Sequence, residues 1–89
     1  MNIRLYSELD EKMQQDLGEF MDLMIEKLHK NRKKRTVEES DVPAMLELLM
    51  REVGEFIRQY MTDKDDPNAP RELADIANFA FLLFTAVKR

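Results

Sequence analysis

Eighty-nine residues, 36% charged and 44% hydrophobic with two glycines and three prolines, describe a helical globular chain rather than a disordered one. The absence of cysteine excludes a disulfide framework and a thiolate metal site, and a net charge of −4 disfavours nucleic-acid binding by the surface as a whole. A chain this short buries only about 60–65% of its unfolded surface, so a single all-α domain over 1–89 is expected to be marginal alone and to be completed by oligomerisation.

The N-terminal residues contain no apolar run of signal-peptide length. The longest uninterrupted apolar run, Phe79 to Phe84, is too short to span a bilayer. The expectation is a cytoplasmic protein with no membrane partner.

Residues 1–6 read as a short lead-in. Ser7, with Asp10 three residues on, reads as the N-cap of a first helix over about 8–30. Leu9, Met13, Leu17, Phe20, Met24 and Leu28 repeat along it at spacings of three and four, which makes one apolar stripe. The basic run His29 to Arg35 follows. Basic groups near a helix C-terminus are favoured by the helix dipole; the same run is also able to hold a polyphosphate, but it lacks the interleaved aromatics that stack nucleic-acid bases. A single histidine, His29, excludes a multi-histidine metal site.

Thr36 to Glu39 fits a capping box, but Pro43 interrupts any helix running through it. The second helix is therefore expected from Asp41 or Val42 to about residue 61, with Pro43 in its first turn, where proline is tolerated. Its apolar arc holds Met45, Leu46, Leu49, Val53, Phe56, Ile57 and Tyr60. The connector Thr62 to Pro70 is rich in turn formers, and its aspartates lack the glycine and distal glutamate of a calcium loop, so they read as solvated charges. Asn68 caps a third helix over about 69–88, with Pro70 in its first turn. On this helix Ile76, Ala77, Ala80, Leu83, Phe84 and Val87 form one apolar arc, while Asp75 and Asn78 share another side with Phe79 and Leu82. Polar groups among large apolar ones are costly unless something pairs with them. The architecture expected is an antiparallel helical hairpin or bundle of three main helices.

Acids spaced i, i+3 share a helix face, so Glu52 with Glu55 and Glu72 with Asp75 can each offer two carboxylates to one ion. The spacing alone is common here, since Asp16 and Glu19 also show it. Topology separates the two later pairs: across a short connector the second and third helices pack antiparallel, which puts both pairs at similar depth, to within about one turn. Four carboxylates in one place repel unless a cation neutralises them, and all-oxygen ligands suit Mg²⁺ or Mn²⁺. The alternative reading is two helices whose boundary acids reach out to water.

The pattern Glu52-Val53-Gly54-Glu55 followed by Glu72-Leu73-Ala74-Asp75 and Asn78 resembles the ExxE, spacer, ExxD hallmark of the MazG-like all-α nucleoside triphosphate pyrophosphatases. Lys27-Leu28-His29-Lys30-Asn31 with its following basic residues, and Leu48-Leu49-Met50-Arg51 before the first acid pair, are similar to short phage and mobile-element members, so the likeness spans about residues 27–87. The resemblance implies a Mg²⁺ site at Glu52, Glu55, Glu72 and Asp75, and water attack on the α-phosphorus of a (deoxy)nucleoside triphosphate. The products are a monophosphate and pyrophosphate, and Glu55 is the expected base. It implies contacts from Lys30, Asn31, Lys33 and Lys34 to the triphosphate and from Asn78 to sugar or base, in a homodimer or homotetramer. The family's HKG-W-type element is replaced here by Lys33-Lys34-Arg35-Thr36, and the chain has no tryptophan, which leaves base and sugar preference open. A non-catalytic helical interaction module or regulator is the competing function class.

Overall fold

The computed structural model describes residues 2–31 and 41–88, with Asn31 described in its backbone alone. The described elements are four helices: α1 over Ile3–Ser7, α2 over Glu11–Asn31, α3 over Val42–Thr62 and α4 over Ala69–Lys88. The all-α class is as expected, but the N-terminal segment differs. Residues 3–7 form a helix of their own, capped by Asn2, whose side chain accepts from Leu5 N. The long helix starts after Asp10, not after Ser7.

The cap chemistry explains the shift. Asp10 Oδ1 accepts from Met13 N at 2.8 Å, the bond expected of an N-cap. Ser7 Oγ instead donates back to Arg4 O at 2.8 Å and closes α1. Gln14 then ties the two helices together, its Nε2 donating to the carbonyls of Tyr6 at 3.3 Å, Ser7 at 3.4 Å and Leu9 at 2.9 Å. The capping box expected at Thr36 to Glu39 lies outside the described residues.

The other two helices begin where local chemistry places them. Asp41 caps α3 through Ala44 N, with Pro43 in the first turn, where a missing N–H costs nothing. In α4, Glu72 N donates to the carbonyl of Asn68 at 3.0 Å, so the helix starts at the expected residue. The connector aspartates do more than face water: Asp63 Oδ1 accepts from Asp65 N at 3.0 Å and Asp66 Oδ1 from Asn68 N at 2.9 Å. These aspartate-to-backbone turns reverse the chain and set α4 antiparallel to α3.

Helix α4 is the centre of the structure, packed on α3 along one side and on α2 along another. Its Ala74 is 0% exposed, and Met45 of α3 and Leu83 of α4 are the other buried apolar residues among those described. No large side chain among them is fully buried. The shape is a slab of 39 × 37 × 21 Å with a radius of gyration of 14.8 Å, where a compact chain of this length would have about 12 Å. Its accessible surface of 7292 Å² is about a third larger than the roughly 5,500 Å² of an ordinary monomer of this mass.

Part of the exposed apolar surface is gathered on one flank. At about 100° per residue, Leu46, Met50, Ile57 and Met61 share one side of α3, and Leu73, Ala80, Phe84 and Val87 share one side of α4. All eight are exposed, with Met50 at 73% and Phe84 at 60%. The antiparallel arrangement puts both stripes on the same flank of the α3/α4 hairpin. Glu52, Glu55, Glu72 and Asp75 fall on the opposite flank, the one α2 packs against. The apolar arc expected on α4 is therefore split: Leu83 is buried in the hairpin, whereas Ala80, Phe84 and Val87 face outward, and the side carrying Asp75 and Asn78 faces α2. No described helix is long and apolar enough to cross a membrane.

Candidate metal and phosphate site

The four acids come from two helices that the connector has already aligned. Glu52 and Glu55 lie one turn apart on α3, as do Glu72 and Asp75 on α4. Their proximity is registered at Glu52. Burial pushes its carboxyl above the usual carboxylate range, and the charges of Glu55, Asp75 and Glu72 push the same way against the opposing effect of Arg51. Loss of solvation and like charges both disfavour the ionised form, so Glu52 is the point at which the cluster's repulsion is felt.

The two acids of α4 are each held by a partner from a different helix. Lys27 Nζ of α2 donates to Asp75 Oδ2 at 2.7 Å, with both side chains about three-quarters shielded from water. Gln59 of α3, with its amide turned so that nitrogen meets oxygen, donates to Glu72 Oε2 at 3.0 Å and Oε1 at 2.5 Å. One turn along α4 from Asp75, Asn78 is 7% exposed. Its Nδ2 donates to Met24 O at 3.1 Å, and its Oδ1 is buried without a hydrogen-bond partner. Lys27 and Asn78 thus link α2 to α4 along a single seam, at Asp75 and Met24 respectively.

Among the described residues, no group of three or more acids or histidines is drawn close enough to hold a metal ion in this arrangement. The donor chemistry fits a hard divalent cation, since all four groups are carboxylates. Two of them are engaged by Lys27 and Gln59 instead.

The proposed phosphate contacts are less well placed. Lys30 is exposed and lies 3.9 Å from Glu26 of its own helix, and Arg71 approaches the same glutamate at 4.0 Å. Lys33, Lys34 and the side chain of Asn31 lie outside the described residues. No family model, curated protein or solved structure matches this chain.

Lys27 and Gln59 are the site residues that sequence reasoning did not single out as such. Lys27 carried a detectable signal. It lies three residues after Met24 and seven after Phe20, a core-facing position on the first long helix, where a charge requires a partner. Gln59 gave none, because an amide on a mixed helix face is commonplace.

Proposed function

We propose that this protein is a Mg²⁺-dependent nucleoside triphosphate pyrophosphohydrolase that works as a homo-oligomer of helical hairpins. The observation that supports the reading is Glu52, whose carboxyl is pushed up first by burial and then by the charges of Glu55, Asp75 and Glu72 from two helices. Such a concentration of negative charge is unfavourable for folding and is the kind of arrangement found at functional sites. Glu52, Glu55, Glu72 and Asp75 would hold Mg²⁺, or Mn²⁺, which when bound orients phosphates, offsets their charge and lowers the pKa of water.

The chain's own residues account for the rest of the reaction. Water adds to the α-phosphorus, the bond to the bridging oxygen breaks, and pyrophosphate leaves with that oxygen. A carboxylate beside the metal would take the proton from the attacking water, and Glu55, the more exposed acid of the α3 pair, is the one we assign to it. Lys30, Asn31, Lys33 and Lys34 would meet the triphosphate, and Asn78, 7% exposed and tied to Met24 O, would support the nucleoside side of the site from beneath.

The apolar flank supports the oligomeric part. Two hairpins packed through Leu46, Met50, Ile57, Leu73 and Phe84 would complete a four-helix bundle while leaving the acids on the outer flanks. The same flank also suits a non-catalytic module bound to a different protein, so nucleotide binding is what separates the two readings. Melting with Mg²⁺ and a non-hydrolysable triphosphate is expected to raise the transition by several degrees. A ligand at ~100 times its Kd adds about 2.7 kcal/mol to the native state. No response to any of the canonical triphosphates would contradict the assignment.

A further inference from the structure

We propose that the Lys27 ammonium is the resident cation of the carboxylate site: it neutralises Asp75 in the ligand-free protein and is displaced when a divalent cation binds, so that Lys27 sets how tightly the site holds metal. The inference rests on the reading of Glu52, Glu55, Glu72 and Asp75 as a metal site.

Three observations carry it. The ammonium lies 2.7 Å from Asp75 Oδ2, and neither side chain is freely solvated; among the described residues it makes the only ion pair to any of the four carboxylates. It is delivered by α2, whereas all four acids are on α3 and α4, so the pair is a contact between helices and not a helical i, i+4 bridge. The seam also contains an unfilled position, because Asn78 Oδ1 is buried with no donor, one turn from Asp75. An unmet buried acceptor is costly. A lysine has three N–H donors, and one turn of α4 is about 5.4 Å, so Asn78 Oδ1 is the acceptor we assign to a displaced Lys27 ammonium.

The physical consequence is competition. A +1 charge hydrogen-bonded to Asp75 both occupies a ligand oxygen and repels an incoming cation. In the ligand-free arrangement no three of the acids gather as ligands among the described residues; with Lys27 displaced, Asp75 would be free to turn toward an incoming cation. Metal binding would exchange one cation for another, loosening the α2/α4 contact at Asp75 while leaving the Asn78 Nδ2 bond to Met24 in place.

The test is calorimetric titration of Mn²⁺ into the protein and its Lys27→Met variant, which keeps the length and apolar stem of the side chain. Removing the competing charge is expected to tighten Mn²⁺ binding about tenfold, a modest effect for a close charge pair. Equal or weaker binding in Lys27→Met overturns the role of Lys27 while leaving the metal reading in place. Absence of Mn²⁺ binding by both proteins overturns the metal reading and the inference with it. A second measurement needs no variant: in ¹⁵N NMR of the wild-type lysine ammonium groups, the Lys27 signal is expected to shift on Mg²⁺ titration and to saturate together with the calorimetric binding curve. A Lys27 signal that stays unchanged while Mg²⁺ binds overturns the proposal.

Discussion

Glu52→Gln is expected to melt at a higher temperature than the wild type at pH 7 while turning over triphosphates about 10²–10³-fold more slowly, the loss typical of removing one preorganised electrostatic group. The gain in stability follows from the raised carboxyl of Glu52, caused first by burial and then by Glu55, Asp75 and Glu72. A carboxyl whose folded-state pKa lies above its unfolded value binds a proton more tightly in the native state. Its contribution is most favourable below the unfolded pKa, falls as pH rises through the folded one, and is a constant cost above it. The neutral amide removes that cost. The difference in melting temperature between variant and wild type should therefore be positive at neutral pH and shrink as pH falls to about 4, where the unfolded glutamate is itself protonated. Thermal melts across this range check the sign; a variant less stable than wild type at pH 7 would show that Glu52 has a structural role instead.

Phe84→Glu is expected to dissociate the proposed homo-oligomer. In the isolated chain this ring is 60% exposed, so its loss costs the protomer little. In a paired hairpin it would be buried beside Met50, Leu46 and their counterparts, where a carboxylate must lose its solvation even with Lys88, whose Nζ lies 5.7 Å from the ring centroid, one turn away. Association should weaken at least a hundredfold, ~2.7 kcal/mol. Light scattering during gel filtration would read this as a fall from a multiple of 10.6 kDa to the mass of one chain. The melting temperature should fall too, and lose its dependence on protein concentration. A wild-type protein that is monomeric and stable at micromolar concentration would leave Leu46, Met50, Ile57, Met61, Leu73 and Phe84 without a structural explanation.

What could be read from the sequence divides along physical lines. Helix starts governed by local chemistry were legible at Asp41 and Asn68, because a cap or an early proline acts within one turn. The start of α2 was not, since Ser7 and Asp10 are both capping residues by type and the choice is made by Gln14 bonding to three carbonyls of the preceding turn. The antiparallel register brings Glu55, Glu72 and Asp75 near enough to raise the Glu52 carboxyl, but among the described residues no three of the acids come together as ligands. Side-chain partners across helices were not legible: Lys27 at Asp75 and Gln59 at Glu72 depend on the rotation of α2 and α3 about their own axes. The same rotation places Ala80, Phe84 and Val87 outward and Asn78 inward, where the apolar pattern of α4, rich on almost every side, left more than one orientation open.

Hydrolysis between the α- and β-phosphates is read out by product analysis. The protein is incubated with each canonical ribo- and deoxyribonucleoside triphosphate and Mg²⁺, and monophosphate with pyrophosphate is resolved from diphosphate with phosphate. Monophosphate and pyrophosphate are expected in equal amounts from at least one nucleotide, abolished by chelating the metal and strongly reduced in Glu52→Gln and Asp75→Asn. Absence of turnover with every nucleotide, products cut at the γ-phosphate, or full activity in both variants would contradict the proposed function.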